Sequence, residues 1–122
     1  MEPLEPQVLV LAAPWPIRAL LRAALREQAL HAVGAEDWAS ALSWAHDERT
    51  RLTIVYLPGL RGAAVGLEGL RRALKGRPLW VVGSPRDYPF LPQGAEVRWF
   101  PFPLLLERLV EEVKRFFAEE LS

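Results

Sequence analysis

The sequence predicts a three-layer α/β/α domain built on a doubly wound, five-stranded parallel sheet. Short apolar runs alternate along the chain with segments in which apolar residues recur every three or four positions. The chain has 122 residues, 51% of them hydrophobic, which is the length and apolar content of one domain with its own core. We therefore expect a single domain over residues 1–122, with right-handed crossovers and helices on both faces of the sheet.

The first half of the chain is predicted to contain two pairs of strand and helix. Residues 8–13 form a nearly continuous apolar run, typical of a strand buried on both faces. Residues 16–25, which begin with a proline, have the spacing of an amphipathic helix. A short second strand at residues 32–33 precedes Asp37, a favourable helix cap, and a second helix over residues 38–46.

The second half is predicted to contain three strands and two helices. The third strand covers residues 52–57 and is closed by a Pro-Gly turn. Leucines mark a third helix that includes residues 67–74, and a fourth strand follows at residues 79–82. The fifth strand covers residues 97–100, and a strong final helix runs from residue 104 to about residue 120.

The connection between the fourth and fifth strands breaks the alternation. Residues 86–93 contain Pro89 and Pro92, which exclude a long regular helix there. We therefore predict that the fourth helix of the alternating pattern is shortened or absent.

Composition excludes several functional classes. The 15 basic and 15 acidic residues and the pI near 6.7 give no global field for a polyanion or an anionic membrane, so neither nucleic acid nor membrane is an expected partner. No apolar run approaches the roughly 20 residues of a membrane span, and the first residues do not resemble a signal peptide, so we expect a cytoplasmic protein. The absence of asparagine and the 11 prolines suit a heat-adapted source.

Catalytic and metal motifs are also missing from the sequence. There is no cysteine, and two widely separated histidines do not form a metal motif. The chain has no P-loop, no dinucleotide-binding turn and no Gly-x-Ser-x-Gly elbow. We expect no catalytic residues, no metal and no cofactor, and therefore a protein that is not an enzyme.

Four short strings occur in the order found in one known family. They are residues 8–13 followed by Ile17-Arg18, Ala35-Glu36-Asp37-Trp38 followed by Ala41-Leu42, Leu57-Pro58-Gly59-Leu60-Arg61-Gly62, and Gly94-Ala95 followed by Phe100-Pro101-Phe102. With these strings, almost the whole chain resembles the receiver domain of bacterial response regulators. The resemblance implies a flavodoxin-like receiver fold and a role in signalling of the two-component kind.

The carboxylates that the family uses for phosphorylation are absent. In receivers, an aspartate is phosphorylated beside a magnesium ion that an acidic pair of residues holds. In this chain the positions of that pair are occupied by Ala12 and Ala13, whose side chains have no oxygen atom to bind the ion. The phosphoacceptor falls on Tyr56 or on Ile54, depending on which string anchors the alignment. The resemblance therefore implies a pseudo-receiver that binds no Mg²⁺ and is not phosphorylated by the family's mechanism.

The family's remaining polar positions are replaced as well. The Thr or Ser that closes the fourth strand falls on Gly83, with Ser84 one residue later, and the Lys before the proline falls on Phe100. The former phosphorylation pocket would then be bordered by Ala12, Ala13, Trp15, Tyr56, Gly83, Ser84 and Phe100. Such a pocket is either an aromatic site for a small molecule or a volume sealed by large side chains.

The last helix and the segment before it form the second candidate site. Apolar residues occupy two adjacent stripes of this helix, and one stripe is predicted to be exposed. The candidate interaction surface consists of Tyr88, Phe90, Trp99, Leu106, Val110, Phe117 and Leu121. We expect a homodimer or a protein partner there, unless the proline-rich loop folds back over the stripe. The predicted function is a protein-interaction or dimerisation module, with a small-molecule-sensing domain as the alternative.

Overall fold

The computed structural model describes the backbone of residues 5–121 and the side chains of residues 5–120. The strands are β1 (Gln7–Ala12), β2 (His31–Ala35), β3 (Thr50–Tyr56), β4 (Leu79–Gly83) and β5 (Val97–Pro101). The α-helices are α1 (Trp15–Glu27), α2 (Trp38–Ala45), α3 (Ala63–Leu74) and α4 (Leu106–Leu121).

The five strands form one parallel sheet in the order β2-β1-β3-β4-β5. The side chains of each strand alternate between the two faces, so that Leu9 and Leu11 pack with α2 and α3 whereas Val8 and Val10 pack with α1 and α4. Both faces are covered by helices, which explains the nearly continuous apolar runs in the sequence. The predicted α/β/α fold class is confirmed.

A short 3-10 helix, Pro85–Phe90, occupies the connection between β4 and β5. It has no buried residue, and Pro89 lies inside it. Proline removes a backbone donor and disfavours a continuing α-helix, so the connection has only this short turn. The predicted shortening of the fourth helix is confirmed, and α4 is the last helix of the chain.

The structure corrects the prediction that α4 exposes a second apolar stripe. Val110 and Phe117 are buried, with 8% and 5% of their surface accessible, and Leu106 is half-buried. The two stripes together form one broad face because α4 lies in the angle between the sheet and α1. Leu121 lies at the end of α4, where its side chain is outside the described residues.

Helices α2 and α3 approach each other closely at a glycine. The Trp38 indole lies on Gly66, where an added Cβ would come within 2.3 Å of two ring atoms. The indole N–H also donates to the Arg61 carbonyl oxygen at 2.7 Å, which ties α2 to the loop before α3. A side chain larger than hydrogen at position 66 is therefore incompatible with this packing.

Arg77 joins several elements at the amino-terminal edge of the sheet. Its guanidinium donates to carbonyl oxygens of Ala45 at the end of α2, Leu74 at the end of α3 and Thr50 at the start of β3, over 2.5 to 2.8 Å. Desolvation by burial lowers the pKa of Arg77 from its ordinary value. The carbonyl dipoles at the two helix ends stabilise the positive charge of the guanidinium.

Candidate functional site

The carboxyl ends of the inner strands meet in one row of neighbouring residues. Ala12 of β1 is in register with Tyr56 of β3, Tyr56 with Val82 of β4, and Val82 with Phe100 of β5. Ile54, by contrast, lies two residues inside β3 and is fully buried. Of the two candidate residues of β3, Tyr56 is the one that stands at the end of the strand.

The loops after β1 and β3 lie against each other. Gly59, with φ of +88°, leaves only 3.2 Å between the position of an added Cβ and the Cβ of Ala13. The Arg18 guanidinium of α1 donates to the Ala12 carbonyl oxygen at 2.8 Å and to that of Ala13 at 3.4 Å. A cationic side chain and two methyl groups thus occupy the end of β1, and none of them is a ligand for a hard cation.

One carboxylate, that of Asp87, approaches the end of β4. A Cβ added to Gly83 would lie 2.9 Å from Asp87 Oδ2. The same oxygen accepts the backbone N–H of Ser84 at 2.9 Å, so Asp87 caps the start of the 3-10 helix. Asp87 was not among the site residues predicted from the sequence, although an acidic residue three positions after a serine is a known signal for a helix start.

The structure does not gather the seven predicted pocket residues into one pocket. An added Cβ at Gly83 would meet Leu57 and Trp99, which pack on the α2 and α3 side of the sheet. Phe100 belongs to the core on the opposite side, with its ring centroid 5.2 Å from that of Trp80. The alternation of side chains along each strand separates these positions.

Trp15 also departs from the predicted pocket. It is the first residue of α1 and is 68% exposed. The expected aromatic wall of Trp15, Tyr56 and Phe100 is therefore not formed.

An apolar cavity of about 190 Å³ lies beside Tyr56, between α1 and the start of α4. Phe102 packs edge-on against Tyr56 in its wall, with the ring centroids 5.6 Å apart and the planes at 68°. The complete lining is Ile17, Leu20, Leu21, Tyr56, Val82, Phe102, Leu104, Leu106 and Leu109. The aromatic neighbour of Tyr56 is therefore Phe102 and not the predicted Phe100. Both phenylalanines point to the same side of the sheet because they are two residues apart on an extended chain.

Two further hollows flank the 3-10 helix. A groove of about 500 Å³ runs along edge strand β5 and includes Tyr88, Leu91, Val97 and Trp99 in its lining. The rings of Tyr88 and Trp99 meet edge to face, with centroids 6.0 Å apart. Phe90 instead lines a hollow of about 400 Å³ against the start of α3. The structure thus brings together Tyr88 and Trp99, and it separates both from the buried Val110 and Phe117.

Between residues 5 and 121, no three or more His, Cys, Asp or Glu side chains are grouped so that they could hold a metal ion. Over the same residues, no helix has the length and apolar character needed to cross a membrane.

Neither a protein-family model nor a curated protein sequence matches the chain. Solved structures do match over nearly the whole length. A two-component response regulator from Clostridium difficile superposes with a TM-score of 0.80 at 15% identity, covering 97% of this chain and 100% of that chain. A response regulator receiver protein from Pseudomonas putida gives a TM-score of 0.78 at 22% identity, with 93% and 99% covered.

The receiver domain of the Francisella response regulator 1452 is similar to the same degree. Its TM-score is 0.77 at 18% identity, and the match covers 95% of this chain and 99% of that chain. With a parallel sheet in the order β2-β1-β3-β4-β5 and helices on both faces, the chain has the fold of response-regulator receiver domains.

Proposed function

We propose that this chain is a pseudo-receiver: a signalling protein that works without aspartyl phosphorylation and without enzymatic activity, through a protein-binding surface beside β5. The observation that carries the proposal is the groove of about 500 Å³ along this edge strand. Tyr88, on its rim, is 61% exposed, and Phe90, on the far side of the 3-10 helix, is 49% exposed. We call Tyr88 and Trp99 the β5 surface.

The chemistry of the β5 surface suits a protein partner. Tyr and Trp supply large contact areas with little conformational entropy to lose, and they are enriched at the centres of interfaces. The short 3-10 helix leaves Trp99 and Val97 only half-buried, so this part of the sheet is less covered than the rest. A second copy of the chain or a different protein would complete the cover.

The end of the sheet supports the other half of the proposal. Ala12 and Ala13 have no side-chain oxygen, Tyr56 ends β3, and Arg18 brings a positive charge to the carbonyl oxygens of β1. Phosphorylation of an aspartate beside Mg²⁺ needs carboxylates at these positions. Incubation of the protein with acetyl phosphate and Mg²⁺ is expected to leave its intact mass unchanged. A phosphate adduct on the native protein would contradict this half of the proposal.

Sedimentation velocity of the purified protein tests the β5 surface. We expect a concentration-dependent dimer that Tyr88→Glu dissociates, because a buried unpaired charge is costly at an interface. Trp15→Glu is the matched control, since Trp15 is a similarly exposed aromatic residue, at 68%, on helix α1.

If the purified protein remains monomeric, the partner to be tested is a different protein and not a second copy of this chain. A photo-crosslinking amino acid at position 88 is then expected to trap one defined protein in cell extract, and the same group at position 15 is not. Equal trapping from both positions, or from neither, would contradict the β5 surface.

A further inference from the structure

The apolar cavity between α1 and α4 is not part of the β5 surface and has no role in the function proposed above. Its walls are formed by α1, the ends of β3 and β4, the segment that joins β5 to α4, and the start of α4. We propose that this cavity binds a small aromatic molecule consisting of a single ring with one hydroxyl group.

The size of the cavity sets the size of the ligand. Its volume of about 190 Å³ exceeds the roughly 150 Å³ that is enough for a benzene ring in a cavity lined by Leu, Ile and Phe. There is room for one ring and a small substituent.

The lining sets the chemistry. Of the nine lining residues, Tyr56 is the one with a polar side-chain group, and the others are aliphatic residues or phenylalanine. Because these walls are almost entirely apolar, a ligand gains from the removal of its own apolar surface from water. The Tyr56 hydroxyl both donates and accepts hydrogen bonds, and it therefore matches a ligand with one hydroxyl group.

The cavity is open to solvent on one side. Leu20 lines it and is 54% exposed, and the lining residue Leu104 lies in the irregular segment before α4. A ligand can enter there without separation of α1 from the sheet. The wall of Tyr56 and Phe102, with its two rings edge to face, forms the inner part.

The experiment uses p-cresol and toluene. Each has one ring and one methyl group, and p-cresol has a hydroxyl group in addition. Methyl NMR spectra of the full chain are recorded during titration with each probe. We expect saturable shifts at the methyl groups of Ile17, Leu21 and Leu106, with tighter binding of p-cresol. The Tyr56→Phe variant should weaken p-cresol binding about 5- to 10-fold and leave toluene binding unchanged, which corresponds to one neutral hydrogen bond.

Two adjacent substitutions separate a filled cavity from a general effect. Leu104→Trp places a larger side chain in the cavity and should abolish binding of both probes. Leu105→Trp is the matched control and should bind like the wild type, because Leu105 is 72% exposed and does not line the cavity. If Leu104→Trp fails to fold by circular dichroism, Ile17→Trp replaces it in the same comparison.

The outcomes are distinct from those for the β5 surface. Tyr88→Glu should leave p-cresol binding intact. Shifts that do not saturate, or that persist in the folded Trp-filled variant, would overturn the proposal. A third result would also overturn it: the Trp-filled variant binds the probes like the wild type but no longer forms a protein complex. The occupant of the cavity would then be a side chain of a partner protein.

Discussion

Two threonines of β3 have opposite surroundings. Thr50 accepts a hydrogen bond from Gln7 Nε2 at 3.0 Å and donates to the Trp44 carbonyl oxygen at 2.9 Å. Thr53 is equally buried, but its hydroxyl oxygen has no hydrogen-bond partner. A buried hydroxyl without a partner loses its hydration and gains nothing in return.

We therefore expect Thr53→Val to raise the free energy of unfolding by about 1 kcal/mol, because valine has the shape of threonine without the unsatisfied group. Thr50→Val should lower it by about 1 to 3 kcal/mol, since the Gln7 side chain and the Trp44 carbonyl oxygen each lose one hydrogen bond. Urea unfolding of both variants checks the prediction. A loss of stability in Thr53→Val would show that its hydroxyl has a partner in solution.

At this scale the site was only partly predictable from the sequence. The residue types at the ends of β1 and β3 are read directly from the strand pattern. The choice between Phe100 and Phe102 depends on where β5 ends, and strand ends are the least certain part of a sequence-based assignment. The hydrogen bond from the Arg18 side chain to the Ala12 carbonyl oxygen joins α1 to β1, and no local sequence pattern predicts it.

Among the elements, α3 contains two interior glycines with opposite constraints. Gly66 lies under the Trp38 indole, whereas a Cβ added to Gly69 would have no other atom within 4 Å. Glycine in a helix is less favourable than alanine by about 1 kcal/mol where nothing else requires it.

We expect Gly69→Ala to raise the free energy of unfolding by about 0.5 to 1 kcal/mol through helix propensity. Gly66→Ala should lower it by about 1 to 3 kcal/mol, because the added methyl group forces the indole and α2 to move. Thermal or urea unfolding of the pair, recorded by circular dichroism, measures both effects. Stabilisation by both substitutions would mean that Trp38 is free to leave α3.

Helix α4 shows how far periodicity alone can be trusted. Its wide apolar arc predicts more than one contact, and the sequence cannot say whether the second contact is another molecule or the same chain. Val110 and Phe117 are covered by their own domain because α4 packs beside α1 as well as on the sheet. The proline-rich connection, in contrast, was predictable, since proline restricts the backbone locally.

For the molecule as a whole, acidic pH should be destabilising. Hydrogen bonds from the Arg49 side chain, and then from its backbone N–H, lower the pKa of Asp47 to about 2. Hydrogen bonds also lower the pKa of Glu68, mainly through Arg71, and that of Glu112, mainly through Arg98. A carboxylate with a lower pKa in the folded state stabilises the fold above its unfolded pKa, and this contribution is lost as the pH falls.

The free energy of unfolding is therefore expected to fall between about pH 4 and pH 2. Asp47→Asn should flatten part of this decrease, and Glu27→Gln, at an exposed position of α1, is the control. Urea unfolding at several pH values gives the slope for each variant. Identical slopes for Asp47→Asn and the wild type would rule out Asp47 as a contributor.

The fold of the whole molecule was the most predictable feature. Alternating strands and helices, with right-handed crossovers, leave few ways to arrange five short buried strands. The hollows at the ends of these strands were not predictable, because they depend on the packing of loops whose sequences carry no periodic signal.

The strand order also bears on synthesis of the chain at the ribosome. Strand β1 lies between β2 and β3, and both of these neighbours are present once residue 56 has emerged. After that point β4 adds to β3 and β5 adds to β4, so each new strand joins an edge that already exists. From β3 onwards every strand pairs with one that is already present, so the sheet can grow in the direction of translation, with β5 and its surface completed last.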